Sequence, residues 1–283
     1  MSLPKFEYLE PKTVEEACSF LSMYKGETAL LAGGTTLLER MKRRRVMPRY
    51  LIGLKNISHL DYIEYNQVLR IGTLTTLRDI AVSPLIQEKF DLLSEAARFI
   101  GGVQIQNMAT VGGNLCNVLP ADMAPPLMVL GARLRLVGPQ GERSVAIEDF
   151  FTGPSKRVRK DEVLTEIQVP SPPPRSGSSY LRLNMRTEED LPLVGVALLL
   201  TQDANGIFSE VKIGLGSVSP TPMRAKKTEE FLKGKKMEEG LLEEAAKLAV
   251  EETRPPTAKV EYRKEVTGVL VKRALANAMG RIK

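Results

Sequence analysis

The chain has 283 residues, of which 43% are hydrophobic and 26% charged, and its formal net charge is +6. This length predicts a sizeable core and two domains, and neither a membrane-spanning run nor a signal-peptide pattern is present. Two distant cysteines and a single histidine provide no disulfide framework, transition-metal site or histidine-based triad. We therefore expect a cytoplasmic protein whose chemistry, if it has any, depends on a bound cofactor.

The sequence pattern of residues 1–55 predicts a small α/β unit. Thr13 followed by Glu16 is a capping-box pattern, and it starts a helix whose apolar face includes Cys18. Apolar runs at 29–32 and 50–54 predict two buried strands.

The stretch at residues 31–37 joins a strand end, a glycine turn and a helix start. Gly33 and Gly34 turn the chain, and either Thr35 or Thr36 can cap the following helix. Backbone amides at such a turn, together with the helix dipole, favour a phosphate group. An ordinary tight turn is the alternative interpretation.

A second stretch, Thr110 to Asn114, has the same kind of composition, with a hydroxyl followed by Gly112 and Gly113. Two such loops could hold a diphosphate from both sides, with the glycines allowing close approach of the ligand. Turns without a ligand are again the alternative.

Six basic residues and no acidic residue occur within residues 40–49. A nucleic-acid interface is conceivable, but no aromatic residue is interleaved for base stacking. The run favours a helix end that faces solvent or a partner protein. His59 follows a predicted strand, and we expect it in a surface turn.

The middle of the chain mixes strands and helices. Asn66-Gln67 separates two short strands of a predicted hairpin, and helices are predicted near residues 75–80, 92–100 and 124–130. Strands are predicted at 133–137 and 162–169.

The proline-rich segment Ser171 to Gly177 predicts a linker that cannot continue a sheet. Three antiparallel strands follow at 180–183, 194–201 and 207–215, and the remainder is helical at about 224–234, 238–252 and 259–279. This order predicts a separate C-terminal α+β domain.

With these motifs in place, the sequence resembles the FAD-binding medium subunit of the molybdenum hydroxylases, the family of xanthine dehydrogenase and aerobic carbon monoxide dehydrogenase. The resemblance covers nearly the whole chain. It rests on Pro4-Lys5-Phe6-Glu7-Tyr8, Ala32-Gly33-Gly34-Thr35, Thr110-Val111-Gly112-Gly113-Asn114, Asp149-Phe150-Phe151-Thr152-Gly153, Asp161-Glu162-Val163-Leu164, Ile167-Gln168-Val169-Pro170, Tyr262-Arg263, Leu270 and Arg273-Ala274-Leu275.

The resemblance implies an α+β fold in two domains. Residues 1–170 would form a two-part FAD-binding domain of the vanillyl-alcohol-oxidase type, with subdomains at about 1–55 and 56–170. Residues 178–283 would form the C-terminal α+β domain, with a three-stranded antiparallel sheet and helices.

The resemblance also implies the cofactor and its contacts. Both glycine loops would clasp the FAD diphosphate, mostly through backbone groups, and Asp122, Leu164 and Leu193 would lie near the flavin. Attachment would be non-covalent, because threonines stand where related oxidases have a linking histidine or cysteine. The implied contacts are Leu31, Ala32, Gly33, Gly34, Thr35, Thr36, Leu37, Thr110, Val111, Gly112, Gly113, Asn114, Asp122, Leu164 and Leu193.

The implied function is electron transfer within a multi-subunit oxidoreductase. A large subunit would hold the molybdenum cofactor and hydroxylate the substrate, and a small subunit would pass electrons through [2Fe–2S] clusters to FAD on this chain. FAD would reduce an external acceptor, and the assembly would be a dimer of heterotrimers. A stand-alone flavin reductase or oxidase of the same fold is the alternative.

Three features depart from the family pattern. The segment from Asn114 to Asp122 is one residue shorter, Gln106 stands where arginine is common, and there is no cysteine-rich insertion for an extra cluster. We expect Cys116, two residues after Asn114, to serve in packing.

Overall fold

The computed structural model describes residues 2–117, 122–151, 153, 161–186, 191–256 and 258–282. Of the motifs above, Thr152 and residues 118–121 of the shortened segment before Asp122 lie outside the described residues. No helix in the described ranges is long and apolar enough to cross a membrane.

The N-terminal part is a small parallel sheet with two helices. Its elements are β1 (Glu7–Leu9), α1 (Val14–Met23), β2 (Thr28–Leu31), α2 (Leu37–Lys42) and β3 (Tyr50–Gly53). The strands lie in the order β1-β3-β2. The Glu16 amide donates to the Thr13 hydroxyl over 3.1 Å, which confirms the capping pattern, and Cys18 is buried as expected.

The middle part is an antiparallel sheet covered by short helices. Its elements are β4 (Ile63–Asn66), β5 (Val68–Gly72), α3 (Leu77–Val82), α4 (Pro84–Lys89), α5 (Asp91–Arg98), α6 (Val103–Gln106), α7 (Val111–Cys116), α8 (Ala124–Val129), β6 (Arg133–Gly138), β7 (Gly141–Ala146), α9 (Ile147–Phe150) and β8 (Val163–Pro170). The strand order is β4-β5-β8-β6-β7. The hairpin turn at Gln67 is confirmed, and the exposed His59 lies in a turn as predicted.

The C-terminal part packs helices against a second antiparallel sheet. Its elements are β9 (Ser176–Asn184), β10 (Pro192–Gln202), β11 (Phe208–Gly216), β12 (Met223–Arg224), α10 (Lys226–Leu232), α11 (Leu241–Glu252) and α12 (Val260–Gly280). The order β12-β11-β10-β9 gives four strands among the described residues, where the sequence predicted three. The two residues of β12 are too few to show a periodic pattern, and they pair with β11 only through the tertiary structure.

The predicted linker is shorter than expected. Ser176 and Gly177 already belong to β9, where Gly177 pairs with Leu200. A side chain at Gly177 would overlap the carbonyl oxygen of Ala278, so the glycine permits close packing of the strand against α12. This tertiary contact explains why Gly177 lies in a strand although the local sequence predicts a linker.

Both faces of the C-terminal sheet are buried. Val196 and Leu198 of β10 pack into a core with the C-terminal helices, whereas Ala197 and Leu199 join the core of the middle part. Burial on two faces explains the nearly continuous apolar run of β10. The sheet therefore holds the middle part against its outer face and fixes the cleft described next.

Candidate functional site

An open cleft of about 410 Å³ lies where the N-terminal part, the middle part and the C-terminal sheet meet. This volume falls in the range of small-molecule and cofactor sites. The lining residues are Leu30, Ala32, Gly33, Gly34, Thr35, Thr36, Leu37, Arg40, Leu54, Thr73, Ile100, Gly101, Ile105, Ala109, Thr110, Gly112, Gly113, Asn114, Cys116, Asn117, Asp122, Val163, Leu164, Arg182 and Leu191.

The first glycine loop presents backbone donors that the protein itself does not use. Within the described part of the chain, no group accepts a hydrogen bond from the amides of residues 33–37, all of which line the cleft. Gly34 has φ of +74°, a conformation that favours glycine. Thr36 precedes α2, but its side chain makes no capping hydrogen bond. Five successive free amides form a concave donor set suited to an anion.

The second glycine loop differs from the first. The Gly113 amide donates to the Thr110 hydroxyl over 3.1 Å, and the Gly112 amide donates to the Thr73 carbonyl over 3.0 Å. Val111 and Asn114 also donate within the protein. The amides of residues 111–114 are therefore all bonded within the protein, two of them to Thr110 at the start of α7 and two to the carbonyls of Thr73 and Thr75. That this loop contacts a cofactor through backbone groups stays a prediction.

The glycines of the second loop serve packing. Neither Gly112 nor Gly113 has a positive φ. A side chain at Gly112 would overlap the Thr73 hydroxyl, whereas Gly113 is exposed on the cleft. Gly112 thus brings α7 against the middle sheet, and Gly113 leaves the cleft wall open.

The two loops touch each other. A side chain at Gly33 would overlap the carbonyl oxygen of Met108, just before the second loop. The Asn117 amide nitrogen donates to the Thr36 hydroxyl over 3.0 Å. These contacts set both loops along one cleft although about eighty residues separate them in the sequence.

A buried charge pair lies on the cleft wall. Asp122 is 6% exposed, and its carboxylate lies 3.5 Å from the Arg182 guanidinium and accepts a hydrogen bond of 3.4 Å from the Tyr180 hydroxyl. Burial raises the pKa of Asp122 to about 6, although Arg182 and Tyr180 oppose that shift. Burial, and then the Asp122 charge, raise the pKa of Tyr180 well above its usual value.

Most of the residues predicted from the sequence lie together on this cleft, including Asp122 and Leu164. Leu31, Val111 and Leu193 are not among the described lining residues; Val111 and Leu193 pack in the middle and C-terminal cores. Leu191, two residues before Leu193, lines the cleft instead. Whether any of the predicted residues contacts a cofactor stays a prediction.

Several lining residues were missed from the sequence. Arg40 was assigned to a solvent-facing run, although its spacing of four from Thr36 places both on one side of α2. Thr73, Asn117 and Arg182 carry no local signal of their role. Cys116, expected to pack, is instead exposed and lines the cleft, because it falls on the open side of α7.

Comparisons with known proteins agree with this geometry. A family model described as the FAD binding domain in molybdopterin dehydrogenase matches residues 4–172, and one described as the CO dehydrogenase flavoprotein C-terminal domain matches residues 179–278. The chain is 34% identical to the carbon monoxide dehydrogenase medium chain of Hydrogenophaga pseudoflava, with 98% of each covered. It is 30% identical to the xanthine dehydrogenase FAD-binding subunit of Escherichia coli O157:H7, covering 96% of this chain and 95% of the relative.

Solved structures give the same result. Carbon monoxide dehydrogenase from Hydrogenophaga pseudoflava contains a chain that matches with a TM-score of 0.96 at 34% identity, over 100% of both chains. Quinoline 2-oxidoreductase from Pseudomonas putida 86 matches with a TM-score of 0.91 at 26% identity, over 99% of both. The fold is that of an FAD-binding flavoprotein. The chain belongs to the family of medium FAD subunits of molybdenum hydroxylases such as carbon monoxide dehydrogenase and xanthine dehydrogenase.

Proposed function

We propose that this chain binds one FAD non-covalently in the cleft and carries electrons from the [2Fe–2S] clusters of a small partner subunit to an external acceptor. The observation that carries the proposal is the set of free amides at residues 33–37, which fits a diphosphate. In this proposal residues 1–170 form the FAD-binding domain and residues 178–283 the C-terminal domain.

The residues present fit FAD along the length of the cleft. The amides from Gly33 to Leu37 would hold the diphosphate, and Asn114 and the open wall at Gly113 would face it from the other side. Leu164 adds an apolar surface to the cleft, and the Asp122–Arg182 ion pair adds a polar surface. FAD, when bound, supplies the capacity to take up and release electrons singly or in pairs.

Substrate oxidation is assigned to another chain in this proposal. Among the described lining residues Asp122 carries the only carboxylate, and it is paired with Arg182. A positioned acid–base pair for substrate oxidation would need a further titratable group on the cleft. The large molybdenum subunit would therefore carry out the hydroxylation, and this chain would hold the flavin.

The cofactor proposal is tested on the purified full chain. Acid precipitation should release a yellow chromophore that chromatographs as FAD, and a colourless protein would refute cofactor binding. Colour retained in the pellet would refute non-covalent attachment and would direct attention to Cys116 on the cleft.

The partner proposal is tested by affinity purification of the tagged chain from its native cells. Iron–sulfur and molybdenum subunits should copurify, and size-exclusion chromatography should show a dimer of heterotrimers in the cytoplasmic fraction. The isolated chain should show only slow reduction of an artificial acceptor. Complete substrate turnover by this polypeptide alone would instead support a stand-alone flavin oxidase or reductase.

A further inference from the structure

Arg40 lies on the cleft beside the free amides of the first glycine loop. It is three residues after Leu37 and four after Thr36 on α2, so the three side chains share one face of that helix. All three residues line the cleft, and Arg40 is only partly exposed. Arg40 therefore belongs to the same wall of the cleft as the residues that carry the amide donors.

The charges of the cleft do not cancel. Its described lining contains three ionic side chains, and two of them, Asp122 and Arg182, face each other across 3.5 Å. The side chain of Arg40, the third, makes no hydrogen bond or ion pair with any described residue, although its backbone bonds within α2. Arg43 pairs with Glu39 and Arg49 with Glu27. The side chains of Lys42 and Arg45 also bond no described residue, but both residues are exposed and neither lines the cleft. One uncompensated positive charge thus remains on the cleft, next to the free amides.

We propose that Arg40 binds the diphosphate of the cofactor, an inference that rests on the FAD-binding function proposed above. A guanidinium presents parallel N–H donors that match two phosphate oxygens, and it adds a full charge to the neutral amides. The ligand class is a nucleoside diphosphate unit, so Arg40 favours FAD over flavins without a diphosphate. The basic run from Arg40 to Arg49 accordingly divides into one cofactor contact and a solvent-facing remainder.

The test compares R40Q with R45Q in the full chain after removal of flavin. Glutamine and arginine have similar helix propensity, so R40Q keeps α2 intact. Arg45 belongs to the same basic run but is exposed and does not line the cleft, which makes it the matched control. The probes are FAD, ADP and riboflavin, with dissociation constants measured by flavin fluorescence and calorimetry.

We expect R40Q to weaken FAD and ADP binding roughly 10- to 100-fold, as for a charge-assisted hydrogen bond, and to leave riboflavin binding unchanged. R45Q should bind all three probes like the unmodified chain, and R40K should recover part of the loss. The difference between R40Q and the unmodified chain should shrink at high salt. Melting temperatures of the unliganded variants should be equal, which excludes a folding defect.

Two outcomes separate this inference from the proposed function. If the unmodified chain binds FAD and R40Q binds it equally well, the role of Arg40 is refuted and the function stands. If the unmodified chain binds neither FAD nor ADP, the proposed function itself fails. Equal losses in R40Q and R45Q would also refute the inference, because they would show only a general effect of net charge.

Discussion

Replacing Gly34 by alanine should weaken FAD binding more than it destabilises the unliganded protein. Gly34 has φ of +74°, and an alanine there would also place its Cβ 3.1 Å from methyl groups of Leu31 and Leu38. Holding a non-glycine residue in this left-handed conformation costs about 1–2 kcal/mol. The two leucine contacts are with side-chain ends, which can move.

The effect of Gly34→Ala on FAD affinity depends on whether the unliganded or the FAD-bound protein is strained by the alanine. Since no described group accepts hydrogen bonds from the amides at 33–37, an unliganded loop can rotate away from the strained conformation. In the proposed function, binding of the diphosphate requires the observed arrangement of those amides, so the alanine would strain the bound state. At about 1.4 kcal/mol for each factor of ten, we expect FAD affinity to fall roughly 5- to 30-fold.

Gly206→Ala is the matched control. Gly206 has φ of +78° in the turn between β10 and β11, away from the cleft, and only the Lys236 side chain lies near its added Cβ. This variant should lower the melting temperature of the unliganded protein and leave FAD affinity unchanged. Flavin titration and thermal melts of both variants test the reasoning, and unchanged FAD affinity in Gly34→Ala would refute it.

The remaining predictions concern the cleft wall and the second loop. Cys116 is exposed on the cleft and Cys18 is buried, so a thiol reagent should modify Cys116 first, and FAD should slow that reaction several-fold, as peptide mass mapping would show. Because the pKa of Asp122 is raised, the folded state keeps the carboxyl proton to higher pH than the unfolded state does. The unfolding free energy of the unmodified chain should therefore fall by up to about 3 kcal/mol between pH 4 and 7, compared with that of Asp122→Asn. Parallel urea titrations that showed no difference in pH slope would contradict this. Gly112→Ala should lower the unfolding free energy by about 1–3 kcal/mol, because the added methyl group would clash with the Thr73 hydroxyl. Adding Thr73→Ala to the same chain should recover part of that loss, as measured by denaturant unfolding. Strictly additive losses would show that the two positions do not touch.

Local sequence signals correctly predicted several caps, turns and strands. The cap at Thr13, the hairpin turn at Gln67 and the strand before Gly33 each depend on a few adjacent residues, and the structure confirms them. Such features follow from backbone preferences and side-chain–backbone hydrogen bonds within one turn.

Composition alone could not distinguish the two glycine loops. Both combine a hydroxyl with two glycines, yet Gly34 occupies a left-handed turn with free amides, whereas Gly112 and Gly113 lie in a helix whose amides are bonded. The difference arises partly because the carbonyl oxygens of Thr73 and Thr75, just after β5, accept hydrogen bonds from the amides of Gly112 and Val111. A hydrogen-bond acceptor so distant in the sequence cannot be predicted from the residues around the glycines.

The sequence by itself therefore determined the family, the succession of most elements and the position of the first glycine turn. The tertiary structure decided which side chains share the cleft: it paired Asp122 with Arg182, gave Arg40 no counter-charge among the described residues, and exposed Cys116. The physical reason is that turns and caps depend on neighbours within a few residues. The charge balance of this cleft depends on groups from three parts of the chain, and only the packing of those parts sets the distances between the groups.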